Sequence, residues 1–512
     1  MDVNAGKKRS LFDRPEMVLG VFIVVSMAIW TLQCSLLQRV FGIDIYETIV
    51  WGEQLQLGHS KHPPLSGWLG YFFSWVTGHR DWGLYFAAQL CIGLGVFFTF
   101  LTARQFFDRF RAATAALLLY FVYFYTPSEM KFCTYLVEIA LAPLASYLLI
   151  KGLRENKWGQ WALFGAVCGL GVLNKYSFGL IMAGFALVVL TRKEYLRRLA
   201  SPWPYFAVPV FLAVVYPHLE WLIEHDFVCL GHVGGRLDEK HSIFMPLFVV
   251  GMSLYPALME AAAAVLALLP GASRRDGGKW FSLAGWAPCA KNREALHFAG
   301  IISLTPGAVY LALSLCGTDI ILMWLCSVAS LSGMTVMALF PVEIDRLIFK
   351  RISILLAMFI AAMFVGMTAD LLFSTNKRLH MYPEPVVAAA ETFWKEHSGG
   401  PIPVVVGGLR LAALVDHYSK GHPPVCDPED EIMIGLYRER IRIHGALLID
   451  TGERDFDEFL KRCRVDGCGV KVKFRRFPVE ARAPFGGKKQ LSFVLGYLPP
   501  GTEISPKVEA RR

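Results

Sequence analysis

The sequence has little charge for its length. Of its 512 residues, 18% are Asp, Glu, Lys or Arg, whereas 54% are hydrophobic and the mean hydropathy is +0.43. Soluble domains carry about 25% charged residues, so this composition excludes an ordinary soluble protein. The aromatic content of 13% suits a membrane protein with Trp and Tyr at the lipid interface.

The sequence also lacks cysteines at the spacing of a metal site, and it lacks a signal-peptide cleavage site. Several of the eleven cysteines, such as Cys34, Cys91 and Cys168, fall in apolar segments, where a thiol acts as a small hydrophobe. The basic N-terminus leads into the apolar run Met17–Leu37, with no small-residue cleavage site after it. We therefore predict a retained first transmembrane helix.

Long apolar runs are abundant instead. A membrane-spanning helix needs about 20 mostly apolar residues. The candidate spans are residues 17–38, 81–103, 112–126, 132–150, 158–173, 177–191, 203–223, 243–269, 295–315, 319–340 and 352–373. The prediction is a polytopic, all-helical membrane domain over residues 1–373 with about eleven transmembrane helices.

The net charge is +9, and the basic residues lie in short clusters between apolar runs. This distribution is typical of membrane topology rather than of a nucleic-acid-binding surface. One set of loops contains 22 Lys and Arg; it lies at residues 7–14, 104–111, 151–157, 192–198, 274–293 and 346–351. The alternate loops, including the first one at residues 39–80, contain seven. The positive-inside rule then predicts a cytoplasmic N-terminus and places the first loop on the exterior, periplasmic face of an inner membrane.

Residues 374–512 differ in character from the rest. Helix-like 384–397, 409–418 and 455–463 alternate with strand-like 403–408 and 445–450, and two further strand-like segments, VKVKFRRF and LSFVLGYL, follow. This alternation predicts a small α/β domain. With eleven spans and a cytoplasmic start, the domain would be periplasmic.

The first exterior loop contains an unusual density of charge. Asp44 and Glu47 are spaced i, i+3, so both carboxylates lie on one face if the segment is helical. Such a pair suits a general base toward a hydroxyl, or coordination of a divalent cation or a sugar. The alternative is an ordinary solvated loop. Lys61 and His62, fixed before Pro63 and Pro64, suit a lipid-linked phosphate at headgroup depth, or a snorkelling Lys beside a capping His.

Other polar residues interrupt the later spans. Lys175 at a helix junction is a ligand for a lipid phosphate or an interfacial anchor. His218, Glu220, His225 and Asp226 could bind substrate or metal, but their spacing matches no recognised metal site, and a structural role is the better interpretation. Glu138, inside an apolar run, is predicted to face the bundle interior.

These residues resemble a known family. The Asp44/Glu47 pair, Trp51-Gly52, the segment Leu57–Leu65 (LGHSKHPPL), Lys175-Tyr176 and Pro217–Phe227 are similar to motifs of polytopic glycosyltransferases of the protein-mannosyltransferase-like superfamily. In particular they resemble bacterial "family 39" members, with lipid A aminoarabinose and galacturonic acid transferases as relatives. Trp221-Leu222 stands where the family often has Trp-Asn, and Cys133-Thr134 where Asn-rich residues are common.

The resemblance implies a GT-C fold and inverting transfer of a sugar from a polyprenyl-phosphate donor to an envelope acceptor, such as lipid A, lipopolysaccharide, another glycolipid or a protein. It implies Asp44 as base, Glu47 as a supporting carboxylate, and Lys61 and His62 as donor-phosphate ligands, with Lys175 as a weaker candidate. No cofactor is required, although a divalent cation could assist.

Two other classes remain open at this point. A carrier or flippase for a lipid-linked sugar would also place charges in a membrane cavity, but transporters often show repeat symmetry, and no internal repeat is evident here. A non-catalytic scaffold that binds polyprenyl phosphate would make Asp44 and Glu47 dispensable.

Overall fold

Each predicted span coincides in position with helical structure of the apolar region, but not always in length. The computed structural model describes residues 10–126, 131–237, 243–268, 290–373, 380–451, 460–461, 465–466 and 472–504. The helices are α1 Pro15–Leu37, α2 Ile43–Glu53, α3 Leu65–Val76, α4 Asp81–Ala103, α5 Arg109–Leu118, α6 Thr134–Glu155, α7 Trp158–Asn174, α8 Phe178–Leu190, α9 Lys193–Leu196, α10 Ala207–Glu224, α11 Val228–Leu237, α12 Met245–Leu266, α13 Ala290–Leu315, α14 Ser332–Leu339 and α15 Arg346–Phe373.

Within these residues, seven helices are long and apolar enough to cross a membrane, or eight if one bent pair is counted as a single span. The bent pair is the 3-10 helix Leu322–Ala329 followed by α14, with an angle of 48° between them. The predicted span 112–126 is likewise not one helix, because α5 ends at Leu118 and two short 3-10 helices follow. Hydropathy reports composition, not backbone hydrogen bonding, so it does not distinguish a broken segment from a straight one. The polytopic helical class is confirmed.

The chain divides into two compact units. The first consists of residues 1–30, 88–130 and 134–365, and the second of residues 31–87, 131–133 and 366–512. The second unit therefore combines the predicted first exterior loop with the C-terminal region.

Small residues allow close helix packing in the first unit. A side chain at Gly333, in α14, would collide with the carbonyl oxygen of Ala115, in α5. Helices in lipid associate through such close backbone approach, since lipid is as apolar as their side chains. Arg111 lies beside this contact and donates to the carbonyl oxygens of Met337 (3.0 Å) and Val342 (2.6 Å).

The C-terminal part of the second unit is an α/β layer. Its helices are α16 Pro383–Lys395, α17 Leu409–Tyr418 and α18 Glu431–His444. Its strands are β1 Val405–Gly407, β2 Val425–Cys426, β3 Ala446–Thr451, β4 Val465–Asp466, β5 Lys473–Arg482, β6 Lys488–Leu498 and β7 Glu503–Ile504. A five-stranded sheet has the order β2-β1-β3-β6-β5, and β4 pairs with β7.

The sheet is mixed: β1 is parallel to β2 and β3, whereas β6 is antiparallel to β3 and β5. Val405, Val406, Leu448 and Ile449 are fully buried, as expected where a strand is covered on both faces. The predicted α/β alternation is confirmed. The helix predicted at 455–463 lies outside the described residues except for positions 460 and 461. The structure adds α18, β2, β4 and β7, which the sequence pattern does not predict.

Candidate active site

The helix α2 carries the two predicted carboxylates. Its apolar face is buried through Ile45, Ile49 and Trp51, so Asp44 and Glu47 lie toward its more accessible side. The exposed fraction of the side chain is 36% for Asp44 and 17% for Glu47. The predicted helical spacing is therefore present, and Asp44 lies in the first turn of the helix, where the macrodipole favours negative charge.

Each of these carboxylates has a cationic partner. The Lys61 ammonium lies 2.7 Å from Glu47 Oε1, and the Lys131 ammonium lies 2.9 Å from Asp44 Oδ2. Lys131 precedes α6 in the chain and was not among the predicted site residues. The arrangement is two adjacent, partly exposed ion pairs, in which a carboxylate and an ammonium are both available to a ligand.

Close packing of α2 on α3 positions the connecting loop. A side chain at Gly52 would collide with the carbonyl oxygen of Gly67, so the two backbones touch at this point. The indole of Trp68 donates to the Gln56 carbonyl oxygen at 3.0 Å. The loop of residues 54–64 leaves α2 and returns to α3 over a short distance, which brings Lys61 back to Glu47.

Two histidines of this loop contact one tryptophan. The buried His59 ring stacks on Trp51 with centroids 5.4 Å apart and an interplanar angle of 16°, and His62 meets the edge of the same indole at 5.7 Å. The backbone N–H of His59 donates to the His62 carbonyl oxygen at 3.1 Å. His62, predicted as a phosphate ligand, therefore also packs on an aromatic ring.

The C-terminal region brings further carboxylates toward the loop. Ser60 Oγ donates to Asp430 Oδ2 at 2.5 Å. Burial raises the pKa of Asp430, and it raises the pKa of Asp427 to about 6, while the nearby Lys61 ammonium opposes both shifts. These two residues were missed in the sequence. The sequence feature that could have identified them is DPED at residues 427–430, because Asp is a preferred N-cap residue of a helix.

A second acidic pair lies at the far end of α2. Burial raises the pKa of Glu53, and burial together with the Glu53 charge raises the pKa of Asp416, in α17. The Arg440 guanidinium partly offsets the shift of the Glu53 pKa. A carboxylate pair of this kind retains a proton at a higher pH than isolated carboxylates do.

The remaining predicted residues lie in the first unit. Lys175 follows α7 in an extended conformation, and its N–H donates to the Gly171 carbonyl oxygen at 3.0 Å. Next to it, Tyr176 OH lies 2.8 Å from His218 Nε2. The rings of Tyr176, His218, Trp221 and His225 form a continuous stack, with neighbouring centroids 5.9, 6.0 and 4.2 Å apart.

The acidic members of that group do not join the stack. Glu220 is exposed and accepts from Tyr216 OH at 2.8 Å, while Asp226 is exposed at a left-handed backbone position (φ 51°). Over the described residues, no group of three or more His, Cys, Asp or Glu side chains is arranged to hold a metal ion. Glu138 is buried, as predicted, and accepts from Ser177 Oγ at 3.2 Å.

Comparison with known proteins agrees with this architecture. Residues 61–221 match the family described as dolichyl-phosphate-mannose-protein mannosyltransferase. The lipopolysaccharide core galacturonosyltransferase RgtA of Rhizobium johnstonii is 26% identical over 35% of this chain and 36% of its own. The undecaprenyl phosphate-alpha-4-amino-4-deoxy-L-arabinose arabinosyl transferase 1 of Pseudomonas fluorescens is 24% identical over 31% of this chain and 29% of its own.

The fold comparison extends further. The crystal structure of ArnT from Cupriavidus metallidurans bound to undecaprenyl phosphate superposes with a TM-score of 0.62 at 14% identity, over 93% of this chain and 97% of that one. The two chains therefore share one fold over nearly their whole lengths. The predicted resemblance to the protein-mannosyltransferase-like enzymes is confirmed, although the chain spans only about a third of the length of these two curated relatives.

Proposed function

We propose that the protein is an integral membrane glycosyltransferase that moves a sugar from a polyprenyl-phosphate donor to an envelope acceptor on the periplasmic face. The observation that carries the proposal is the juxtaposition on α2 and its loop, where Lys61 lies 2.7 Å from Glu47 and Asp44 is one turn away. Leaving-group stabilisation and acceptor activation need a cation and a carboxylate in this proximity.

The reaction proceeds in one displacement. The acceptor oxygen bonds to the anomeric carbon as the bond from that carbon to the phosphate oxygen breaks, with inversion. Asp44 takes the acceptor proton, and Glu47 supports the site electrostatically. The electron pair leaves with polyprenyl phosphate, whose developing charge is stabilised by Lys61 and His62. A divalent cation is not needed for this sequence of events.

The relatives narrow the substrates to be tested. Their names specify galacturonosyl and 4-amino-4-deoxy-L-arabinosyl transfer, the first to lipopolysaccharide core and the second from undecaprenyl phosphate. We infer that the donor is an undecaprenyl-type phosphosugar and that the acceptor is lipid A, lipopolysaccharide or another envelope glycolipid. The charge distribution of the loops supports an inner-membrane protein with a cytoplasmic N-terminus and a periplasmic C-terminal domain.

Mass spectrometry of envelope lipids provides the decisive experiment. A strain lacking the gene should lose one sugar from one class of envelope glycolipid, and the wild-type gene should restore it. The purified protein should then transfer the same sugar from its undecaprenyl-phosphate donor to the deficient lipid. Restoration by Asp44→Asn at the wild-type level would favour a flippase or scaffold over a transferase. Transfer in the presence of excess EDTA, compared with transfer after adding Mg²⁺ or Zn²⁺, tests metal dependence.

A further inference from the structure

The loop that carries Lys61 has few backbone hydrogen bonds of its own. Pro63 and Pro64 have no N–H to donate, and the loop contains neither helix nor strand. Lys61, with 40% of its side chain exposed, sits within this irregular stretch. Besides the ion pair with Glu47, side chains from outside the loop therefore contribute to the position of the Lys61 backbone.

Asp430 supplies such a tie from the C-terminal region. One carboxylate oxygen, Oδ2, accepts from Ser60 Oγ at 2.5 Å. The other, Oδ1, caps α18 by accepting from the N–H groups of Ile432 at 3.0 Å and Met433 at 3.3 Å. A single carboxylate thus joins the loop to the start of a helix 370 residues further along the chain.

The surroundings make this tie strong. Asp430 is 9% exposed, and hydrogen bonds to a charged group are stronger and shorter than neutral ones. Ser60 immediately precedes Lys61, so a displaced Ser60 would move the Lys61 backbone directly. Burial raises the Asp430 pKa, and the Ser60 hydrogen bond is the largest opposing influence.

We propose that Asp430 is a positioning residue for donor binding: through Ser60 it holds the Lys61 ammonium where the donor phosphate binds. The assignment of Lys61 to the phosphate rests on the proposed function, whereas the tie itself does not. The consequence is that the C-terminal domain contributes to donor affinity through a residue that need not touch the donor.

Ser60→Ala is the variant of choice, because it removes the tie and leaves the α18 cap in place. We expect the KM for the undecaprenyl-phosphate donor to rise about tenfold, the size of one hydrogen bond to a charged group, with kcat within about twofold of wild type. Amide hydrogen exchange at residues 57–62 should accelerate by about the same factor. Ser60→Thr, which keeps the hydroxyl, should restore both values.

Asp108→Ala is the matched control. Asp108 caps α5 in the same manner, accepting from Phe110 and Arg111 N–H, and it belongs to the first unit. This variant should change neither the donor KM nor exchange at 57–62. Asp430→Asn keeps one oxygen to cap α18, and its amide N–H can donate to Ser60 Oγ in place of the lost acceptor, so this variant should fall between wild type and Ser60→Ala.

A wild-type KM and wild-type exchange in Ser60→Ala would overturn the proposal. A raised KM with unchanged exchange would also overturn it, since the hydroxyl would then act on the donor directly. If the wild-type protein transfers no sugar, the proposed function fails. In that case accelerated exchange in Ser60→Ala would still establish the tie, and unchanged exchange would refute it.

Discussion

Two groups of polar residues, one on α2 and its loop and the other around Tyr176 and Trp221, differ in how their polar atoms are paired. On α2 and its loop, opposite charges meet in ion pairs whose side chains are between 17% and 40% exposed. Around Tyr176 and Trp221 the polar groups are mostly aromatic rings that stack on one another, with His218 and Trp221 at most 3% exposed.

This difference indicates that the first group can exchange a partner for a ligand, whereas the second supports the structure. A partly exposed ion pair costs little to open, because its worth in water is about 0–1 kcal/mol, so a phosphate can replace the carboxylate partner of Lys61. A buried aromatic stack is stabilised by contact with its neighbours and must be dismantled before it can bind anything. We therefore place the chemistry on the first group and helix packing on the second.

The largest expected effect is at Asp44. Asp44→Asn keeps the shape of the side chain but cannot accept the acceptor proton, so we expect transfer to fall by about 10²- to 10⁴-fold. The rate should be measured with purified protein at saturating donor, with detergent-solubilised yield as the check on folding. Glu220→Gln is the counterpart in the first unit and should stay within about twofold of wild type. An active Asp44→Asn enzyme would remove the base assignment.

The next effect is at Lys61. Lys61→Gln removes the charge that compensates the leaving phosphate, and we expect undecaprenyl-phosphate affinity to fall about tenfold or more. Binding to the protein in lipid nanodiscs measures this directly. Lys175→Gln should have a smaller effect, in line with its weaker candidacy. Equal affinity of Lys61→Gln and wild type would mean that Lys61 only anchors the loop at the interface.

The aromatic stack should respond in stability instead. Trp221→Ala removes a large side chain that is 3% exposed and stacks on both His218 and His225, so we expect a loss of about 3 kcal/mol and a lower thermal midpoint. Trp158→Ala is the control, because Trp158 is 60% exposed and should cost far less. Donor affinity lost without any loss of stability would instead assign the stack to the binding site.

The smallest expected effect is the contribution of His79 to the pH dependence of the free energy of unfolding. This ring stacks on His422 with centroids 4.0 Å apart. Burial, followed by the neighbouring His422 and His417, lowers the His79 pKa to about 4. Between about pH 4 and its ordinary pKa of about 6.5, the unfolded chain therefore binds a proton that the folded chain does not. The contribution of His79 is present above that window and is lost as the pH falls through it.

As the pH falls from about 6.5 to about 4, the thermal midpoint of His79→Gln should accordingly rise relative to that of wild type. Glu53 and Asp416 have the opposite sign, because their raised pKa values favour the protonated form in the folded state. Asp416→Asn should therefore reduce the loss of stability as the pH rises. A His79→Gln variant with the wild-type pH dependence would show that the shift lies elsewhere.

Prediction from the sequence succeeded where the secondary structure of a segment is determined by its own residues. The helix α17 begins and ends at the predicted residues, and α16 and β3 agree to within about two residues, since apolar periodicity and flanking turn residues specify them locally. The helix α18 was missed because six of the fourteen residues of EIMIGLYRERIRIH are Glu, Arg or His, and its buried face consists of Met433, Ile434 and Ile441. The break between residues 329 and 332 was missed because both halves are equally apolar.

The sequence by itself determined the membrane class, the character of the first loop and the residue types available for chemistry, because hydropathy, charge and helical spacing are properties of contiguous residues. Only the tertiary structure decided the pairings: Lys61 with Glu47, Lys131 with Asp44, and Ser60 with Asp430. The latter two depend on how distant segments pack, and no local pattern records that. The same reason separates the exposed ion pairs on α2 from the buried stack beside Lys175, since burial is set by the surrounding chain.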